Sequence, residues 1–204
     1  MQMLLDRESA NHLRVGRRLE YFTVGWNLVE AFIAVAAGVI AGSIALVGFG
    51  FDSLIESLSG GVLLWRLQHD TGSENREAIA LKLVGFSFFI LAIYVGIDSA
   101  KTLIHREPPE TSVVGIILSI VSLIVMPLLA RAKRKVAARI QSRALTADSR
   151  QTAICAYLSG ILLAGLTLNA LFGWWWADPV AALCMLPLII SEGVKAVRGQ
   201  TCCA

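Results

Sequence analysis

Charge is what this chain is short of. Only 16% of its 204 residues are Asp, Glu, Lys or Arg, while 56% are hydrophobic; a soluble domain carries roughly 25% charge. The apolar residues gather into blocks of about 20, the length that crosses a hydrocarbon core as a helix. The alternating segments of about 10 residues that mark a membrane β-barrel are missing. So are the apolar core and small-residue cleavage pattern of a secretory signal peptide, because the first twenty residues are polar and charged. Histidine is scarce as well. His12, His69 and His105 all lie outside the apolar blocks, and no serine–histidine arrangement accompanies them. A His-ligated catalytic zinc or a hydrolase therefore has little support, and the chain reads as non-enzymatic.

What remains is a polytopic all-α membrane protein, a six-transmembrane-helix bundle. The expected spans are about 21–41, 44–65, 79–103, 113–130, 152–172 and 177–194, with Gly42-Ser43 as a tight turn between the first two. These blocks use most of the chain. The expected organisation is an N-terminal segment 1–20, a transmembrane domain 21–195 and a short tail 196–204, with no separate soluble domain. The largest polar stretch, 131–150, reads as a helical extension of the fourth span with a basic face.

Of the 18 Lys and Arg residues, all but Lys101 and Arg106 fall on one side of such a bundle. Positive-inside bias then puts both termini in the cytoplasm, with the plasma (inner) membrane as the expected location. The net charge of +3 is a by-product of this asymmetry and does not indicate nucleic-acid binding. Trp174, Trp175 and Trp176 read as an interfacial belt at the opposite surface. Asp178 and Pro179 suit the start of the sixth helix, as a cap and a first-turn proline.

Ionisable groups at membrane depth are costly and usually mark an ion or proton path. The second span carries two, Asp52 and Glu56, whose i, i+4 spacing sends both carboxylates from one helix face. The first span adds Asn27 and Glu30. No Lys or Arg lies at mid-depth, so Glu30, Asp52 and Glu56 are either protonated or holding a cation. Asp98 has Lys101 three residues on as an ion-pair partner, and Glu192, beside Lys195, reads as a solvated terminus.

At the start of the fifth span, Asp148, Gln151 and Cys155 again share one face. Thiolate with carboxylate suits zinc or a similar transition metal better than calcium or magnesium. Two bland readings stand beside this: a cysteine in a span packs as a small apolar residue, and Asp148 is a helix N-cap. Cys184 reads as packing. Cys202 and Cys203 form a tail pair that is either solvated without a role or a soft-metal capture point.

The order of these features resembles the cation diffusion facilitators. G-S-I-A-L-V-G-F-G-F-D-S-L-I-E-S-L-S-G is similar to that family's second-helix pattern, S-R-A-L-T-A-D-S-R-Q-T-A-I-C to its fifth-helix lead-in, and W-A-D-P-V-A-A-L to its sixth-helix pattern. The resemblance implies six membrane helices with cytoplasmic termini and a homodimer. It also implies one tetrahedral divalent-metal site fed by the second and fifth helices, and export by proton exchange. Asp52 and Glu56 would be the first two ligands. Gln151 stands where the family usually has His, and Cys155 where it usually has Asp. The remaining ligands are then sought among Gln151, Cys155, Asp148 and water, with Glu30 and Asn27 behind them or lining the access route.

No prosthetic group is implied. The expected partners are the lipid bilayer, protons and a transported divalent cation, zinc foremost, with cadmium, cobalt, iron and manganese as further candidates. The family's cytoplasmic domain after the sixth helix is missing, so the chain reads as a truncated member. The departures in the fifth helix leave a second function class open, a non-transporting scaffold or accessory protein that kept the fold.

Overall fold

A computed structural model describes residues 2–68, 74–106 and 108–198. Cys202, Cys203 and His69 lie outside them. The elements are α1 (Gln2–Ala41), α2 (Ile44–Gln68), α3 (Glu74–His105), α4 (Val113–Ile140), α5 (Arg143–Phe172) and α6 (Ala177–Val197), with no strand among the described residues. Each helix contains a stretch long and apolar enough to cross a membrane. The protein is an all-α, six-helix, multi-pass bundle.

Its surface and interior are inverted relative to a soluble protein. Phe32, Ile40, Ile90 and Ile104 are largely exposed, whereas Glu20, Asn27, Glu30, Asp52, Glu56, Gln151 and Asp178 are buried. An apolar exterior suits lipid chains, and polar groups inside must then find one another. α2 is the central helix: 72% of its apolar window is buried, against 33–44% for the other five.

α1 packs chiefly along α2, α4 along α5, and α3 along α6, while α2 also reaches α3, α5 and α6. Small residues allow these approaches. A Cβ on Gly38 would stand 2.8 Å from the Val47 nitrogen, one on Gly50 2.9 Å from the Val35 nitrogen, and one on Gly85 2.9 Å from the Gly193 oxygen. Gly42, at φ 63°, makes the expected tight turn into α2, with Ser43 N–H donating to the Gly38 carbonyl at 2.9 Å.

Several expectations need correction. The stretch 131–150 is not one extension of the fourth span. α4 ends at Gln141, which adopts φ 52° and donates its N–H to the Ala137 carbonyl, and Ser142 then caps α5 by accepting from Leu145 N–H. The second half of that stretch therefore belongs to α5, and its N-cap is Ser142 rather than Asp148. Glu192 is buried and paired with Lys195 at 2.6 Å, because α6 lies closely against α3. Cys184 is exposed on the outer face of the bundle. Asp98 and Lys101 form no ion pair among the described residues.

Asp178 is a cap, but of a different helix. Its carboxylate accepts from the Ser43 hydroxyl at 2.5 Å and from the N–H groups of Ile44 at 2.9 Å and Ala45 at 3.4 Å. These are the first donors of α2, where a negative charge also complements the helix dipole. α6 itself begins at Trp176 without a side-chain cap. Asp178→Ala is expected to lower stability by about 1–3 kcal/mol, the cost of stranding buried donors. Thermal unfolding in detergent measures it, and an unchanged midpoint would mean that the cap contributes nothing.

Candidate metal centre

Three side chains from two helices converge in the bundle. Asp52 and Glu56 leave one face of α2, as their spacing requires, and Cys155 meets them from α5. One ligand atom of each lies within 4.8 Å of the other two, and all three residues are buried. Two carboxylates and a thiol at that separation can surround one divalent cation, the thiol favouring a soft or borderline ion.

The neighbours orient these groups. Asn27 Nδ2 donates to Glu56 Oε2 at 3.0 Å, which leaves the second Glu56 oxygen for the centre. Asp52 Oδ2 is buried without a hydrogen-bond partner. Glu30 accepts from the Ser53 hydroxyl at 2.9 Å, one residue from Asp52, and its other oxygen is buried without a partner. Asn27 and Glu30 thus stand behind the α2 acids, on α1. On α5, the Ser159 hydroxyl donates to the Cys155 carbonyl at 2.8 Å and lies 3.1 Å from Ser122 Oγ of α4.

Gln151 is buried one turn before Cys155, and its Oε1 accepts from Ser59 Oγ at 3.5 Å. Asp148 is placed elsewhere. It lies two turns from Cys155, toward the end of the bundle that carries the termini, and holds Lys133 Nζ at 2.6 Å. The same ammonium lies 2.8 Å from Glu20 Oε2 and 3.4 Å from Thr152 Oγ1. Lys133 is fully buried.

Sequence reasoning missed Glu20 and Lys133. It read Lys133 as one more basic residue at a membrane surface, where a long side chain usually snorkels to water. The signal was periodicity. Glu20, Thr23, Asn27 and Glu30 follow the i, i+3, i+7, i+10 rhythm of one buried helix face, and Lys133 shares a buried face with Val136 and Ala137.

Residues 22–200 match the cation efflux transmembrane domain. The chain is 25% identical over 179 residues to an uncharacterized transporter of Synechocystis sp., covering 83% of this chain and 58% of that protein. It is 25% identical over 195 residues to transmembrane protein 163 of Xenopus laevis, covering 94% of this chain and 69% of that one. It is 30% identical over 152 residues to the cation-efflux pump FieF of Escherichia fergusonii, covering 70% of this chain and 50% of the pump. The chain thus spans little more than half the length of the Synechocystis protein and half that of the pump. With the match running through all six helices, the chain belongs to the cation efflux family, the cation diffusion facilitators.

Proposed function

We propose that this chain exports a divalent transition-metal ion, zinc foremost, from the cytoplasm in exchange for protons, as a homodimer in the plasma (inner) membrane with both termini cytoplasmic. The convergence of Asp52, Glu56 and Cys155 within 4.8 Å carries the reading. In it these three are the ligands, at about 2.0–2.3 Å from zinc, and Gln151 or a water completes the sphere. Glu30 supplies further negative charge behind the site, and Asp148 does so near the cytoplasmic mouth.

Such ligands bind metal when deprotonated and release it when protonated. Exposing the site alternately to the two sides then couples metal movement to proton movement in the opposite direction. The sign follows directly: metal affinity falls as pH falls, because protons compete for the same oxygens and sulfur. Proteoliposomes with an imposed pH gradient test the reading. Divalent metal should accumulate with matching proton release. If none of zinc, cadmium, cobalt, iron or manganese accumulates in response to the gradient, the transport reading falls and the scaffold reading replaces it.

Cys155 sets the preference among metals. Cys155→Ser removes the one soft donor and leaves the carboxylates in place. Affinity for cadmium and zinc is expected to drop by about tenfold or more, with manganese changed much less. Competition binding with cadmium and manganese reads the difference, and an equal loss for both metals would make Cys155 a packing residue.

A further inference from the structure

Glu20 on α1, Lys133 on α4 and Asp148 on α5 meet near the end of the bundle that carries the termini. Lys133 Nζ lies 2.8 Å from Glu20 Oε2, 2.6 Å from Asp148 Oδ2 and 3.4 Å from Thr152 Oγ1. Three oxygens from two helices therefore already surround one cationic atom.

A structural ion pair alone would leave one feature unexplained. Glu20 is fully buried, and neither of its oxygens has a hydrogen-bond partner: Oε2 meets Lys133 Nζ as an ion pair, and Oε1 meets no cation among the described residues. That oxygen lies over Gly60 of α2, where a Cβ would come within 2.7 Å of it. The missing side chain at Gly60 makes the space that the carboxylate occupies. Gly60 is one turn beyond Glu56, and Asp148 is two turns before Cys155. The cluster thus stands between the terminal end of the bundle and the central acids.

We propose that Glu20, Asp148 and Thr152 form a second divalent-cation site, in which the Lys133 ammonium is a tethered cation that an incoming metal displaces. The identity of the cargo rests on the transport reading above. The formal charges favour the exchange. Two carboxylates and one ammonium leave the cluster net negative, whereas a divalent ion in place of the ammonium makes it neutral. Lys133 needs no deprotonation to leave, since its long stem can carry the charge to water. The donors are all oxygen, so this site selects for charge rather than softness and accepts hard ions that a thiol-containing centre favours less. It would act as a waiting position, drawing divalent cations in before the central site chooses among them.

Manganese, whose spin makes binding directly observable, is the probe. The Asp52→Asn/Glu56→Gln variant silences the centre while keeping its shape, and manganese is titrated into the full chain while free ion is followed by electron paramagnetic resonance. One manganese per chain is expected to bind. Adding Glu20→Gln should abolish that binding, and adding Lys133→Met should instead tighten it by at least about tenfold, because the competing ammonium is gone. No bound manganese, or binding indifferent to Glu20→Gln and Lys133→Met, overturns the proposal. A second measurement needs no new variant. Lys133 is shielded from amine-reactive reagents in the metal-free protein and should be labelled when manganese displaces it. Lys133 remaining shielded at saturating manganese, in the wild type or in the central-site variant, also overturns the site. Gradient-driven zinc accumulation by the wild type reads the central site separately, so failure of this second site leaves the transport reading standing.

Discussion

Asp52→Asn and Glu56→Gln are each expected to abolish gradient-driven metal accumulation while leaving the bundle folded. The amides keep volume and shape. Glu56→Gln still offers Asn27 a carbonyl oxygen in place of Oε2, now 3.0 Å from Nδ2, and Asp52 Oδ2 has no hydrogen bond to lose. What disappears is one unit of negative charge beside a divalent ion at membrane depth, where an uncompensated charge is costly. Metal affinity should fall by about a hundredfold or more, or ~2.7 kcal/mol. Proton release should stop with it, since the same oxygens exchange metal for protons. Uptake and vesicle pH are measured together in proteoliposomes. An amide variant that transports at the wild-type rate, still driven by the gradient, would remove that acid from the coupling site.

The largest effect on stability is expected at Lys133. In the metal-free protein, Lys133→Met leaves the carboxylates of Glu20 and Asp148 buried without their shared ammonium. Breaking a buried ion pair from one side costs about 3–5 kcal/mol. The side chains of Lys133, Glu20 and Asp148 are 0%, 1% and 14% exposed, so water can relieve little of that. Glu20→Gln in the same background should recover part of the loss, giving the non-additivity that marks a true contact. Denaturation of the single and double variants in one detergent measures the coupling. Strictly additive losses would mean that the three groups do not act as a unit.

The membrane architecture was legible because it depends on one-dimensional quantities. Block length gave six helices, and i, i+4 spacing placed Asp52 and Glu56 on one face of α2. Cys155 was legible through its i+7 spacing from Asp148 and through resemblance to the family. The same spacing grouped Asp148 with that centre, whereas its carboxylate holds Lys133 Nζ at 2.6 Å. Periodicity says which residues share a face of one helix, but not which neighbour the face meets or at what depth. Asp178 shows the limit clearly. Beside Pro179 it has every local mark of a cap for α6, yet its carboxylate serves α2, more than 130 positions earlier in the chain. Lys133 shows another. A lysine near a membrane surface has the same hydropathy whether it reaches water or is sealed between α1 and α5. The turn at Gln141 was hidden because a glutamine carries no turn signal of the glycine or proline kind.

The carboxylate of Asp178 also anchors one end of α2. It grips the first turn of that helix at Ser43, Ile44 and Ala45, while the helix runs on to Gln68. Asp52 and Glu56 lie eight and twelve residues beyond Ile44, about 12 and 18 Å along a lever of 1.5 Å per residue. Tilting that lever by about 10° about its pinned end carries the two carboxylates roughly 2 and 3 Å sideways. That stroke matches the length of a metal–oxygen bond, about 2 Å. In the transport reading, a small rotation about that end would be enough to open or close the grip of these carboxylates on an ion.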